Sequence, residues 1–551
     1  MVVTYVLLGV LIAAQVLVSS PEHVRAEGPN QPPLRVDAAA HVHPAGGGGV
    51  DAAGAVNVLY GLAGGLDDPG NQFWSQLVLY IPGIPEEEDA FGRALATGDF
   101  NADGWADLAV GVPGDRIGGK QRAGAVHLLY GSDGGLKLMG NQYWHQDRDG
   151  IPDTAETGDL FGSALAAGDF NGDSYADLAV GLSGENVGGV TGAGAVNVIY
   201  GSLDGLTASG SQLWHQDSQD VLGTGEIDDW FGAALTAGDF DGDGCEDLAV
   251  GVPGEDVLYF LGQTRVQAGA VSILYGSTNG LTAIDNQVWT QLSLGGAPWS
   301  DEYFGSSLAA GDFDGDGYAD LAVGAPEEDV GSAEDAGTVS VLYGSNGGLT
   351  DTDSQYWHEN SSGIQDEAET DDAFGAALAA GDFNGDGCDD LAIGVPMEEI
   401  VLASEGGVVS VLYSQGTPGL AAGGNQRFAI GNEVWLPGYR DHFGEALAAG
   451  DFDGDGYADL AVGAPGAQMG GLQDSGVVQV VDGGPVGLIE ASKQHWDQDS
   501  EGILNAAEKY DAFGRALAAG DFDGDGYADL AVGVAENPES VYLPLVARQS
   551  P

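Results

Sequence analysis

Cysteine and basic residues are both scarce in this chain of 551 residues. The two cysteines, Cys245 and Cys388, exclude a disulfide framework of the kind that supports small secreted domains. Lysine and arginine together number 15 against 85 aspartates and glutamates, which gives a formal net charge of −70. Such an anionic surface repels phosphate backbones, which argues against nucleic-acid binding and makes cations the expected partners.

Long apolar runs are also missing, apart from one at the N-terminus. Residues 2–18 are mostly apolar, and Val24-Arg25-Ala26 follows as a possible signal-peptidase site. We therefore predict a signal peptide over residues 1–26, with a retained membrane anchor as the alternative. Residues 27–53, rich in proline, glycine and alanine, are predicted to be a flexible linker. The processed chain has no other spanning run, so we expect it to be secreted, extracellular or at the cell surface.

What the chain does have is a sevenfold repeat. A nine-residue segment of the pattern DFxxDxxxD recurs with a spacing of 69 to 73 residues. The seven copies begin at Asp99, Asp169, Asp239, Asp312, Asp382, Asp451 and Asp521. In each unit a Phe-Gly pair and a short apolar piece precede this segment. A DLAVG-like piece, a GAVxVLYG-like piece and usually a QxW piece follow it. These pieces are short and bounded by turn-forming residues, which is typical of strands.

Four strands in each of seven units predict an all-β fold, a seven-bladed β-propeller of four-stranded blades. The chain enters the pattern at Gly54 with the third and fourth pieces and leaves it, after Phe513, with the first and second. The last blade of the propeller, over residues 54–535, is therefore predicted to combine strands from both ends, which removes free sheet edges. Residues 536–551, which include an unmatched SVYLPLV segment, are left as a C-terminal tail.

The repeated acidic segments have the ligand chemistry of calcium. Aspartate or asparagine at positions 1, 3, 5 and 9, with a backbone carbonyl at position 7, would place hard oxygen ligands around one point. Position 12 is apolar, which excludes an EF-hand. Acidic turns without an ion are the alternative, but the repulsion among clustered carboxylates favours a calcium-binding loop in each repeat, with up to seven Ca²⁺. Ser174 stands where other loops have a glycine at position 6, so this loop is ranked weakest.

The predicted ligands follow the same five positions in every loop. They are Asp99, Asn101, Asp103, Trp105 and Asp107; Asp169, Asn171, Asp173, Tyr175 and Asp177; Asp239, Asp241, Asp243, Cys245 and Asp247; Asp312, Asp314, Asp316, Tyr318 and Asp320; Asp382, Asn384, Asp386, Cys388 and Asp390; Asp451, Asp453, Asp455, Tyr457 and Asp459; and Asp521, Asp523, Asp525, Tyr527 and Asp529.

A family resemblance follows from these motifs. The Phe-Gly pair, the aspartate-rich loop and a following Gly-Ala-Pro, as at Gly324-Ala325-Pro326 and Gly463-Ala464-Pro465, resemble the FG-GAP repeats of the integrin alpha-subunit head. The resemblance covers roughly residues 54–535 and implies a propeller of that type. It also implies a protein or glycan ligand on the face opposite the calcium loops, where that family binds its ligands.

These observations together predict an exported, calcium-binding propeller that acts as an adhesion or ligand-binding module and not as an enzyme. A secreted enzyme with its active site in the central funnel is one alternative, and a purely structural surface protein is another. A catalytic site usually breaks repeat symmetry, and the near-constant repeat length argues against one. The hydrolase motifs G-x-S-x-G and H-E-x-x-H are absent from the sequence.

Overall fold

The computed structural model describes residues 53–78, 81–259, 263–400, 405–416, 419–430 and 440–534. The predicted signal peptide, all but the last residue of the predicted linker, and the predicted C-terminal tail lie outside the described residues. Within the described ranges, no helix has both the length and the apolar character needed to cross a membrane. The chain there is built almost entirely from β-strands.

Thirty strands and one short 3₁₀ helix, Glu490–Ser492, follow one another along the described chain. The first sixteen strands are β1 (Ala55–Tyr60), β2 (Asp67–Trp74), β3 (Leu95–Gly98), β4 (Asp107–Val112), β5 (Ala125–Leu129), β6 (Gln142–Trp144), β7 (Leu165–Gly168), β8 (Asp177–Leu182), β9 (Ala195–Tyr200), β10 (Thr207–Trp214), β11 (Leu235–Gly238), β12 (Asp247–Val252), β13 (Val257–Tyr259), β14 (Gln263–Arg265), β15 (Ala270–Tyr275) and β16 (Thr282–Trp289). The others are β17 (Ser307–Gly311), β18 (Asp320–Ala325), β19 (Thr338–Tyr343), β20 (Thr350–Trp357), β21 (Ala377–Gly381), β22 (Asp390–Val395), β23 (Val408–Ser414), β24 (Leu420–Ala429), β25 (Ala446–Gly450), β26 (Asp459–Ala464), β27 (Val477–Val481), β28 (Gln494–Trp496), β29 (Phe513–Gly520) and β30 (Asp529–Val534).

The strands form seven four-stranded antiparallel sheets, which are the blades of the predicted propeller. Blades 1 to 6 are, in order, β3-β4-β5-β6, β7-β8-β9-β10, β11-β12-β15-β16, β17-β18-β19-β20, β21-β22-β23-β24 and β25-β26-β27-β28. The innermost strand of each blade contacts the innermost strands of its two neighbours, and β29 contacts both β25 and β3, so the ring is closed. The all-β, seven-bladed fold predicted from the repeat is confirmed.

Blade 7 combines the two ends of the described chain. Its strand order is β2-β1-β30-β29, and β1 runs antiparallel to β30 with Ala55 opposite Val534 and Leu59 opposite Leu530. Val56 and Val58 of β1 are completely buried. This is the arrangement that the order of the sequence pieces predicts, and the outer boundaries of the propeller stay a prediction.

The hydrophobic core lies between blades. Leu128 of blade 1 packs in one cluster with Leu178 and Val180 of blade 2, and equivalent clusters lie between the other blades. The second and third strands are buried along their whole length in every blade, which explains why they have apolar residues on both sides. The innermost strands carry small residues because they crowd together: a Cβ on Gly98 of β3 would lie 3.2 Å from the Cβ of Ala167 in β7.

The ring has two faces with different loops. The face that we call the loop face carries the acidic loops and the turns between the third and fourth strands. The two lie side by side: the N–H of Gly131, in such a turn, donates to Oδ1 of Asp107, in the first acidic loop. The opposite face carries the segments after the second strands and those that lead to the next blade. There, the Gly114 N–H donates to the Asp89 carbonyl.

Candidate functional site

Each acidic loop joins the first and second strands of a blade and folds around its position-1 carboxylate. In the fourth loop, Asp312 accepts hydrogen bonds from the backbone N–H groups of Asp316, at 3.0 Å, and Gly317, at 3.0 Å. Asp314 accepts from the N–H of Asp316 at 3.1 Å, and Asp316 accepts from that of Tyr318 at 3.0 Å. The backbone therefore holds the side chains of positions 1, 3 and 5 in one compact turn.

The position-9 aspartate is buried and connects the loop to the rest of its blade. Asp320 Oδ2 accepts from the Phe313 N–H at 2.7 Å, and Oδ1 accepts from the Gly344 N–H, in the turn after the third strand, at 2.8 Å. The same pair of bonds recurs in every loop. Burial raises the pKa of this carboxyl, to about 7 in Asp107 and to about 8 in Asp247. A cation beside it would lower that pKa again.

Four loops bring three carboxylates within metal-binding distance of one another. Their ligand oxygens lie within 4.8 Å in the groups Asp239, Asp241 and Asp247; Asp312, Asp314 and Asp316; Asp451, Asp453 and Asp459; and Asp521, Asp523 and Asp529. The other three loops have an asparagine at position 3 and thus one carboxylate fewer: Asn101, Asn171 and Asn384. In two of these loops the asparagine amide donates to the position-9 aspartate, at 3.2 Å in the second loop and 3.1 Å in the fifth.

The position-7 side chains turn away from their own loop. Six of them pack against the position-4 glycine of the neighbouring loop, where an added Cβ would lie within 3.0 Å of the side chain: Trp105, Cys245, Tyr318, Cys388, Tyr457 and Tyr527. Both cysteines are free thiols. Any ligand from position 7 would have to be the backbone carbonyl, which agrees with the variety of side chains found there.

Two positions of the acidic loop adopt a left-handed backbone. At position 6 the φ angle is 72° in Ser174 and 92° in Gly317, as the glycine pattern predicts. Position 4, where Ala102 departs from the glycine of the other six loops, is left-handed as well, with a φ of 51° in Ala102 and 67° in Gly172. Left-handed conformations are unfavourable for residues with a Cβ.

Replacing Ser174 by glycine is expected to stabilise the protein. The change removes the strain of a left-handed backbone on serine, whereas the greater entropy of glycine in the unfolded chain opposes the gain. The net increase in the free energy of unfolding is about 0.5–1 kcal/mol. Gly317→Ser is the matched reverse change, because a Cβ at Gly317 meets nothing within 4 Å and only the backbone is affected. Denaturant unfolding in the presence of a chelator measures both variants, and a less stable Ser174→Gly would contradict the strain.

The seven loops are linked to one another around the ring. The position-1 carbonyl of each loop accepts a hydrogen bond from the position-8 N–H of the following loop, at 2.9–3.0 Å. The last loop joins the first in the same way, through the Ala106 N–H and the Asp521 carbonyl. A change of conformation in one loop would therefore affect both of its neighbours.

A cavity of about 280 Å³ opens on the opposite face. It is lined mainly by residues on either side of the Phe-Gly pairs and by the third residues of the Gly-Ala-Pro elements. The residue before each Phe-Gly pair has a φ between 52° and 62°, and its identity changes from blade to blade: Ala90, Leu160, Trp230, Tyr303, Ala373, His442 and Ala512. The residue after the pair varies as well: Arg93, Ser163, Ala233, Ser306, Ala376, Glu445 and Arg515.

The two sides of this cavity differ in chemistry. On one side the rings of Trp230 and Tyr303 stack, with centroids 6.3 Å apart. On the other side Glu445 contacts His442 Nδ1 at 3.2 Å and Arg515 at 3.4 Å. Burial alone would raise the pKa of Glu445, but the hydrogen bond with His442 and the charge of Arg515 outweigh it and bring that pKa to about 2.

These cavity residues were not predicted from the sequence. The near-constant repeat length favours blades without a special site, but only the backbone repeats, and the side chains that it presents to the cavity differ between blades. The signal in the sequence is the variation of the residues on either side of each Phe-Gly pair.

Comparison with protein families gives seven matches to one family model, described as FG-GAP repeat. The matched residues are 91–129, 161–199, 231–274, 304–342, 374–412, 443–481 and 513–543. Each match begins at the phenylalanine of a Phe-Gly pair.

Curated relatives fall into two groups. Integrin alpha-PS2 of Drosophila melanogaster is 35% identical over 275 residues, which is 48% of this chain and 18% of the relative. Integrin alpha-V of Gallus gallus is 33% identical over 295 residues, 52% of this chain and 25% of the relative. Phosphatidylinositol-glycan-specific phospholipase D of Mus musculus is 33% identical over 219 residues, 40% of this chain and 24% of the relative. The chain thus spans a quarter or less of each of these relatives.

Proposed function

Because this chain is an FG-GAP repeat protein whose repeats are similar to those of integrin alpha subunits, we propose that it is an exported, calcium-binding propeller that works as an adhesion or ligand-binding module outside the cell. Calcium would occupy the acidic loops of the loop face, with up to seven ions. A protein or glycan ligand would bind the opposite face.

The observation that carries this proposal is the loss of repeat symmetry at the cavity of the opposite face. All seven blades present the residue before Phe-Gly from the same left-handed backbone, although that conformation is unfavourable for bulky residues such as Trp230 and Tyr303. A purely structural position would tend to keep one residue type in every blade. Trp, Tyr and Arg, which supply part of this lining, are the residues most often found at the centres of binding surfaces.

The size and lining of the cavity suggest what it would take. A volume of about 280 Å³ suits a protruding side chain or one sugar ring and is too small for a folded domain. The stacked aromatic pair offers a flat apolar surface, and the Arg93 and Arg515 side chains offer hydrogen-bond donors. Both a protein loop and a glycan fit this combination, and a binding screen with both classes separates them.

The calcium part of the proposal is supported by the chemistry of the loops. Hard carboxylate oxygens held within 4.8 Å of one another suit a calcium ion, which prefers six to eight oxygen ligands. The net charge of −70 makes cation binding favourable over the whole surface. The three loops with asparagine at position 3 would bind more weakly than the four with aspartate there, because ligand charge tunes calcium affinity.

An enzyme is the second candidate, since the relatives include a phospholipase D as well as integrins. The paired His442 and Glu445 in the cavity could exchange protons with a bound substrate. Hydrolase panels, including phosphodiester and lipid substrates, test this candidate. Turnover that His442→Ala abolishes would overturn the binding-module proposal. Background activity with every substrate would support the binding-module proposal.

Trp230→Ala is expected to weaken ligand binding at least tenfold, because removal of an aromatic anchor from a binding site typically costs 2 kcal/mol or more. Alanine occupies this position in blades 1, 5 and 7, so the fold should accept the change. Leu203→Ala is the control on the loop face, since Leu203 is 78% exposed there. The measurement is a screen of matrix proteins, glycans and cells, followed by affinity measurement of each hit with all three proteins. Hits weakened only by Leu203→Ala would place the ligand on the loop face.

A further inference from the structure

A contact between a glutamine and an acid recurs between neighbouring blades on the opposite face. The glutamine follows the outermost strand of one blade, and the acid lies after the second strand of the next. Gln146 donates to Glu185 at 2.8 Å. The same contact is made by Gln76 with Asp115, Gln216 with Glu255 and Gln291 with Glu328. In each case a neutral amide supplies a donor to a carboxylate that is buried, as in Asp115 and Glu185, or half-buried, as in Glu255 and Glu328.

Between blades 4 and 5 the amide is replaced by a second acid. Glu359 stands where five other blades have glutamine, and it faces Glu398. The two residues are only 1% and 4% exposed. Among the described residues, no hydrogen-bond donor meets either carboxylate oxygen of Glu359 or Oε2 of Glu398. Asp366 joins them, so that one oxygen from each of the three carboxylates lies within 4.8 Å of the others.

Arg427 supplies positive charge here but not enough of it. Its guanidinium contacts Asp366 and also Oε1 of Glu398, the latter at 2.7 Å. Asp372, 1% exposed, adds a fourth carboxylate beside Glu359. One guanidinium therefore faces four carboxylates, of which those of Glu359, Asp372 and Glu398 are buried. Arg427 contacts Asp366 and Oε1 of Glu398, whereas both oxygens of Glu359 and Oε2 of Glu398 have no hydrogen-bond donor among the described residues.

We propose that Glu359, Asp366 and Glu398 bind a calcium ion on the opposite face of the propeller, apart from the acidic loops. A divalent cation would balance the excess negative charge, and buried carboxylate oxygens without donors are the hard ligands that calcium takes. The ion would join two blades, since Glu359 follows β20 of blade 4 and Glu398 follows β22 of blade 5. This site does not depend on whether the seven loops hold calcium.

Glu359→Gln is the sharpest test, because it restores the residue that five other blades have at this position. Glu367→Gln is the matched control: it removes one charge from the same segment at an exposed residue outside the group. Native mass spectrometry in millimolar calcium is expected to find one ion fewer per chain in Glu359→Gln than in the wild type, and no loss in Glu367→Gln. The difference between variants is independent of the number of ions in the loops.

A second variant and a second readout protect this test against a folding defect. Asp366→Asn should lose the same single ion while its far-ultraviolet circular dichroism stays that of the wild type. Crystals soaked in Mn²⁺ should show an anomalous scattering peak between Glu359 and Glu398. Equal ion counts in the wild type and both cluster variants, with no peak at this place, would overturn the proposal and mean that protons neutralise these carboxylates instead.

Discussion

Chelating calcium is expected to lower the melting temperature of this protein by about 5–15 °C. Extracellular calcium sites have dissociation constants on the order of 10⁻⁴–10⁻³ M. At about 1 mM calcium each then contributes roughly 0.4–1.4 kcal/mol, or about 3–10 kcal/mol for seven loops. For a chain of this size, 1 kcal/mol corresponds to roughly 1–2 °C. Thermal unfolding in millimolar calcium and in excess chelator, with a count of bound metal, measures the effect.

Two single variants refine the calcium experiment. Asp316→Ala breaks a group of three close carboxylates, whereas Asp173→Ala acts in the loop strained at Ser174. We expect Asp316→Ala to lower the melting temperature more in calcium, and the two variants to differ much less in chelator. Identical melting temperatures of the wild type in both buffers, with no calcium bound to the native protein, would mean that the loops are acidic turns only.

Deleting residues 54–78 is expected to destabilise blade 7 although its other strands lie more than 400 residues away. The deletion removes β1 and β2, so β30 loses one of its two partner strands and keeps only β29. It also removes two hydrogen bonds. The Asn57 side-chain amide donates to the Leu504 carbonyl at 2.9 Å, and the Gly61 N–H donates to Asp529 Oδ1 at 2.8 Å. Amide hydrogen exchange over residues 513–534 should quicken by about 100-fold or more, because the affected strands would open without global unfolding.

The control for this deletion removes residues 27–52 and leaves β1 intact. Exchange over residues 513–534 should then match the wild type. The seventh acidic loop offers an independent readout, because Asp529 loses one of its two backbone donors only in the first deletion. Unchanged protection of β29 and β30 after loss of β1 and β2 would contradict the closure of the ring through this pairing.

The fold was predictable because its signal is repeated seven times and is local. Each blade needs four short apolar pieces, and pieces such as DLAVG and GAVNVLY are apolar on both sides because blades cover both faces of their sheets. The left-handed backbone at position 6 of the loops was predictable, because glycine occupies this position in six of the seven loops. Position 4 has glycine in six loops and Ala102 in the first, so this departure is visible in the sequence, whereas the left-handed backbone of the position is seen only in the structure.

The sites that make one blade different from another were harder to predict. The buried role of the position-9 aspartates depends on backbone donors such as Gly344, 24 residues away in sequence. Trp230 and Tyr303 come together only because blades 3 and 4 are neighbours in the ring. Glu359 differs from its counterparts by a single exchange of glutamine for glutamate, and its meaning appears only when the facing residue is also an acid.

The pairing of β1 with β30 has a mechanical consequence. Ala55 lies opposite Val534, so the start of β1 and the end of β30 lie side by side at the same end of these two central strands of blade 7. A force pulling these two ends apart would act on one hydrogen-bonded pair at a time and unzip the strands, instead of shearing all their bonds together. The propeller should therefore resist tension poorly between its two ends.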